Sequence, residues 1–160
     1  MAANVFRFEE SWDIPNSSVD QVYAVLARGE LLPQWWKGVY LEAERLNGEG
    51  APKVGDRIRA KARGFLPYRL QFILEAVALE WPYRVDVKTS GDLDGRWIAI
   101  LLPREGGVHV DLLWEVTVSR PILRLLAPLL RPAFAWNHRW TTVRGQQGLC
   151  DYLAAQRPSP

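Results

Sequence analysis

The sequence predicts one α+β domain in which a curved, seven-stranded antiparallel sheet wraps around a long C-terminal helix. Three observations carry this. Apolar residues recur mostly at every second position along the stretches between Val5 and Val118, and from Pro121 onward they recur at helical spacing. The one helical interruption between strands, Val19 to Trp36, is short and follows the first strand. A length of 160 residues suits a single domain, residues 1–160, with a sizeable core.

The elements follow in order. Val5 to Ile14 alternates, with Phe6, Phe8, Trp12 and Ile14 on one face and Arg7, Glu9 and Asp13 on the other. Pro15 ends that strand, and Asn16, Ser17 or Ser18 can cap a helix whose apolar stripe is Val19, Val22, Tyr23 and Leu26. Gly29 stops it, and Leu31 to Trp36 reads as a second short helix. Val39 to Leu46 is a strand, and Asn47 to Gly50 is a turn cluster. Val54 to Phe65 turns Ile58, Ala60 and Ala62 inward and Arg57, Arg59, Lys61 and Arg63 outward. Tyr68 to Val77 aligns Leu70, Phe72, Leu74 and Ala76, and Trp81-Pro82 breaks the run. Tyr83 to Thr89 is a strand, and Gly91 to Gly95 reads as a turn. Arg96 to Leu102 and Val108 to Val118 follow, as a hairpin around Glu105-Gly106-Gly107. Short turns between consecutive strands imply antiparallel pairing, and only the final helix is long enough to cover the apolar face. That arrangement is a helix grip, with two short helices between strands one and two.

Composition excludes several classes. A net charge of +2, without a basic run interleaved with a recognition motif, argues against nucleic acid as a partner. The lone Cys150 rules out an intramolecular disulfide and favours a reducing compartment. Met1 to Glu10 lacks the apolar core of a signal peptide, and no run of 18 apolar residues occurs, so a cytoplasmic location is expected. Eight tryptophans stand out. In so small a domain they imply a bulky core or a cavity with aromatic walls.

Several strings resemble the START-like (Bet v 1-like) superfamily, in particular its polyketide cyclase/dehydrase and lipid-transport group. They are Ile14-Pro15 entering a helix with Val22-Tyr23, then Leu32-Pro33-Gln34-Trp35-Trp36, Val54-Gly55-Asp56 and Leu66-Pro67-Tyr68-Arg69-Leu70. Gly91-Asp92-Leu93-Asp94-Gly95-Arg96-Trp97 and Asn137-His138 with Gly145 and Gly148-Leu149 complete the set. The resemblance spans Phe6 to Leu153. It implies the helix-grip fold, but a superfamily that hosts transporters, cyclases, hydrolases and binders does not fix the chemistry.

The chemistry-bearing residues are few. His109, His138 and Cys150 lack metal-ligand spacing, so no metal is expected, and no phosphate loop or other cofactor signature is present. Cys150, near a helix end with Leu149 and Leu153 nearby, reads as a small core residue. Gly145 and Gly148 share a helix face, where each costs about 1 kcal/mol relative to Ala. Close approach to the sheet is the expected reason, with room for a ligand as the alternative. Glu10 shares the face of Phe8 and Trp12, so it points inward and is the candidate general acid or base. A buried carboxylate must be paired or hydrogen-bonded. Exposure at a bulge, or a salt bridge to an arginine, is the alternative.

Asn137 and His138 lie about 100° apart on the helix, so at most one faces the sheet. Phe8, Trp12, Trp35, Trp36, Phe72, Trp97, Trp114, Trp136 and Trp140 are candidates, with Asn137 and His138, for the lining of a ligand cavity. Arg120, Arg124 and Arg131 fall on one side of the 120–132 segment with leucines opposite, a basic amphipathic surface of the kind that rests on anionic membranes. Pro128 and Pro132 are expected to divide it into two pieces or kink it.

The expected function is binding of a small hydrophobic ligand, lipid-like or aromatic, between sheet and C-terminal helix. One alternative is a polyketide cyclase or dehydratase using Glu10. The other is a lipid carrier that docks on membranes through Arg120 to Pro132. Monomer and homodimer both stand open.

Overall fold

The computed structural model describes residues 5–63, 69–118 and 121–157, without the side chains of 118, 121–130 and 134. Seven strands form one sheet: β1 Val5–Pro15, β2 Tyr40–Arg45, β3 Arg57–Arg63, β4 Arg69–Glu80, β5 Arg84–Gly91, β6 Leu93–Arg104 and β7 Gly107–Val118. Helix α1, Val19–Leu26, a single 3₁₀ turn at Gly29–Leu31 and helix α2, Leu32–Trp35, join β1 to β2. Helix α3 is Pro121–Ala155.

The strand order is β1-β7-β6-β5-β4-β3-β2, every pair antiparallel. β1 and β2 therefore occupy opposite edges, and the α1–α2 segment has to carry the chain from one edge to the other. Ser18 is the residue that caps α1. Its hydroxyl accepts from the Gln21 amide at 3.2 Å, and the Gln21 side chain accepts from the Ser18 amide at 2.9 Å, a complete capping box.

Alternation assigns the faces as the sequence predicts. Ile58, Ala60, Phe72, Leu74, Val85, Ala99, Leu101, Val110 and Leu112 are buried on the inner face, against Trp12, Trp35 and Leu149. The basic residues of β3 face outward, where Arg59 pairs with Glu44 and Lys61 with Glu42.

Two expectations are corrected. β6 begins at Leu93, inside the stretch read as a turn. Gly95 is there for contact: a Cβ on it would overlap the backbone carbonyl of Glu115 in β7. And the division of the last helix into two pieces does not occur: α3 is one helix of 35 residues, running through Pro128 and Pro132. Each proline removes one intrahelical N–H donor, and flanking turns on both sides carry the helix across that gap.

Candidate functional site

A cavity of about 60 Å³ lies against the inner face of the sheet. Ile58, Leu74, Ala76, Val87, Trp97 and Trp114 supply its sheet wall. Leu26, Leu32, Trp35, Trp36 and Tyr40, from the α1–α2 segment and the start of β2, close it from above. Among the described residues, α3 contributes nothing to these walls. It enters at a smaller annex of about 10 Å³, bordered by Phe8, Glu10, Trp12, Trp36, Trp97, Leu112, Trp114, His138 and Thr142.

The aromatic residues form a connected set. Trp35 and Trp36 stack at 5.2 Å, and Trp12 meets both edge-on, at 6.4 and 5.6 Å. Trp12 Nε1 donates to Thr142 Oγ1 at 3.2 Å, and Trp36 Nε1 donates to the Thr141 carbonyl at 2.8 Å. These bonds tie β1 and α2 to α3. The glycines of α3 make the approach possible. A Cβ on Gly145 would lie 2.6 to 2.8 Å from the rings of Trp36 and Trp12, and one on Gly148 would overlap the Trp35 carbonyl oxygen. Close approach is thus the reason for both glycines: Gly145 meets Trp12 of the sheet together with Trp36, and Gly148 meets the backbone of α2.

His138 is the member of the Asn137-His138 pair that turns inward. Its ring stacks on Phe8 at 3.9 Å and 11°, and Trp114 meets it edge-on at 6.5 Å. Its Nε2 lies 3.3 Å from Glu10 Oε1, within ion-pair range, yet that buried nitrogen makes no hydrogen bond. Burial pushes the His138 pKa down to about 4, so the ring is neutral at physiological pH. The Glu10 side chain is 34% exposed. Among the described residues its ion-pair partner is this histidine.

Two residues of the main cavity wall also carry buried polar atoms. Trp35 Nε1 and Asp56 Oδ1 are buried without a hydrogen-bond partner. The other Asp56 oxygen accepts from Arg45 at 2.6 Å and from the Lys53 amide at 2.9 Å. These bonds keep the carboxyl below the usual range against the opposing effect of burial. Burial raises the Tyr40 phenol far above its ordinary value, so Tyr40 is neutral.

Seven of the twelve residues expected at the site, Phe8, Trp12, Trp35, Trp36, Trp97, Trp114 and His138, line the cavity or its annex, and Glu10 makes an eighth. Phe72 is a core filler packed edge-on against Tyr40 at 6.3 Å. Trp136 is 54% exposed, turned away from the interior by its place on the helix. Asn137 is half-buried outside both walls, and Trp140 lies under the Arg144 guanidinium at 3.7 Å. Thr142 and Tyr40 were not expected. Thr142 carried a signal, since it stands four residues after His138 and three before Gly145, on one helix stripe.

The remaining sequence readings divide. Burial pushes the Cys150 thiol up, as suits a core cysteine. No group of three or more metal-ligating side chains forms among the described residues. Arg120 and the side chain of Arg124 lie outside the described residues, as does the Leu66-Pro67-Tyr68 string. Arg131 donates to the Val5 carbonyl at 3.1 Å and covers the Phe6 ring at 4.9 Å, so it docks on β1. Among the described residues, no helix is long and apolar enough to cross a membrane.

The pattern of the family described as polyketide cyclase / dehydrase and lipid transport matches residues 16–142. No functionally curated protein matches the chain. Among solved structures, TTHA0849 from Thermus thermophilus is similar with a TM-score of 0.74 at 20% identity, over 96% of this chain and 99% of that one. The Zhui aromatase/cyclase from Streptomyces sp. R1128 gives 0.72 at 10% identity, over 95% of each chain. Norcoclaurine synthase from Thalictrum flavum, in complex with dopamine and hydroxybenzaldehyde, gives 0.62 at 12% identity, over 97% and 90%. At these identities the likeness is one of fold.

Proposed function

The chain belongs to the polyketide cyclase/dehydrase and lipid transport family, and from that premise we propose that it is a single-domain binder of a small hydrophobic ligand with a flat aromatic part. The observation that carries this is the cavity wall. Among its mostly aromatic and aliphatic lining residues, Trp35 and Asp56 each carry a buried polar atom, Nε1 and Oδ1, with no partner among the described residues. Buried polar atoms are nearly always satisfied, and each orphan costs about 1–3 kcal/mol. A ligand that supplies a donor to Asp56 and an acceptor to Trp35 recovers that cost. The volume of about 60 Å³ is well below the roughly 300–1,000 Å³ of common ligand pockets. The occupant is therefore small, or a larger molecule inserts one edge.

A second reading, acid–base chemistry on an enolisable carbonyl compound, draws on the 3.3 Å contact of Glu10 with His138. It gives the carboxylate a titratable neighbour beside the cavity.

Saturable binding of an environment-sensitive hydrophobic dye to the native protein, followed by quenching of tryptophan emission, tests the main reading. Ala76→Phe, which projects a ring into the cavity, should weaken that binding at least tenfold with the fold intact by circular dichroism. A dye that binds only after denaturation, or binds the variant equally well, overturns it.

A further inference from the structure

The annex differs from the main cavity in size and in chemistry. At about 10 Å³ it holds one water-sized group. Trp36, Trp97 and Trp114 border both spaces, so a ring resting on them in the main cavity can send one substituent into the annex. Two polar groups there are unsatisfied by each other, Glu10 Oε1 and the orphaned Nε2 of His138. Thr142 Oγ1 already accepts from Trp12. Phe8, stacked on the imidazole, holds its plane.

We propose that the annex is a hydroxyl-reading subsite, taking the one phenolic or enolic hydroxyl of a planar aromatic ligand whose ring lies against Trp36, Trp97 and Trp114. The proposal rests on the binding reading above and deepens it. A carboxylate can only accept, whereas the N–H of a neutral imidazole donates. A hydroxyl offers one donor and an accepting lone pair, so it satisfies both at once. A methyl group of the same size satisfies neither and leaves the buried His138 Nε2 unpaired, the condition under which a site rejects an isostere most strongly. A ligand carboxylate would face Glu10 and be repelled. Bonds of about 2.8 Å on both sides of a bridging oxygen place their outer atoms about 4.5 Å apart. Glu10 therefore has to swing back by about 1 Å from its 3.3 Å contact, and its partial exposure leaves room for that.

Phenol, toluene and anisole separate the possibilities by calorimetric titration of the full chain at neutral pH. Phenol and toluene should both bind, phenol about tenfold more tightly, the worth of about one hydrogen bond. Anisole, which accepts but cannot donate, should bind like toluene. In His138→Phe and in Glu10→Met the ratio of phenol to toluene affinity should fall toward one. Equal affinities for phenol and toluene in the unaltered chain overturn the subsite and leave the cavity reading standing. So does a preference that anisole shares, an arm that needs no variant to fold. Failure of both phenol and toluene to bind removes the two readings together.

Discussion

The two histidines of this chain sit on opposite faces of the same sheet and are driven in opposite directions. On the outer face, His109 Nδ1 is 2.8 Å from Asp13 and Nε2 is 3.0 Å from Asp111, with Arg104 also on Asp13. The hydrogen bond to Asp13 does most to raise its pKa. Asp111 adds to it, while burial and Arg104 work against it. On the inner face His138 has one carboxylate in range but no hydrogen bond, and burial dominates. Proximity to a carboxylate therefore does not decide the charge of a histidine. What decides is whether the carboxylate is aligned to accept a proton and whether water is excluded.

The same contrast runs through the two faces. The outer face is laced with charges, as in Asp86 held by Arg96 and Arg84, whereas the inner face is fixed by shape. The inner face should therefore yield the largest single effect. Gly148→Ala drives a methyl into the Trp35 carbonyl, which is backbone and cannot step aside. It should cost about 4 kcal/mol, since overpacking against a fixed partner lies at the upper end of point-mutant effects. The loss should be the same in low and high salt, because no charge is involved. Urea denaturation at two ionic strengths measures both, and a cost below about 1 kcal/mol would mean that α3 slides freely over α2.

Period-two alternation revealed the sheet because each strand has one face in the core and one in water, and the capping residues marked α1. Glycine misled at Gly95, where the sequence pattern of a turn and that of a strand crossed closely by its neighbour are the same. The prolines do not divide α3 into two pieces, because a long helix tolerates local loss of two donors. At the site, alternation turned Glu10 inward and helical spacing turned one of Asn137 and His138 inward. Their meeting could not be read, since it depends on how α3 is seated by Gly145, Gly148 and the three tryptophans beneath them. Trp136 and Trp140 were indistinguishable from cavity residues for the same reason: composition names aromatic residues, and only the rotation of the helix sorts them.

The next effect in size belongs to His138. Its folded pKa of about 4 lies below the ordinary 6.5, so between those values the unfolded chain binds more protons than the folded one. Stability is complete above pH 6.5 and is lost as the pH falls toward 4, by about 3 kcal/mol in total, from about 2.5 units at 1.36 kcal/mol each. His138→Phe keeps a flat ring against Phe8 and has no proton to take up. Relative to the unaltered chain it should gain stability steadily between pH 6.5 and about 4.5 in denaturant titrations. A difference that does not change with pH would put the charged imidazole in water and end the contrast between the faces.

His109 should give the smallest effect, and one of opposite sign. A raised folded pKa means that the folded chain holds its proton more tightly. The stabilisation is fully present below the unfolded value near 6.5 and disappears as the pH rises through the folded value. Asp13 is largely exposed, with 69% of its side chain open, so solvent and salt screen much of the attraction. His109→Gln should therefore be less stable than the unaltered chain at about pH 5.5 and nearly equal to it at about pH 9, with the gap narrowing in high salt. The chain contains two histidines, so its proton NMR spectrum yields two ring titrations, which test the comparison without any substitution. One should titrate above 6.5 and vanish in His109→Gln, and the other should titrate well below 6.5 and survive that substitution. If both curves fall together near 6.5, the aspartates are not holding His109 and the interior is not excluding water from His138. The two faces would then be electrostatically alike, however differently they pack.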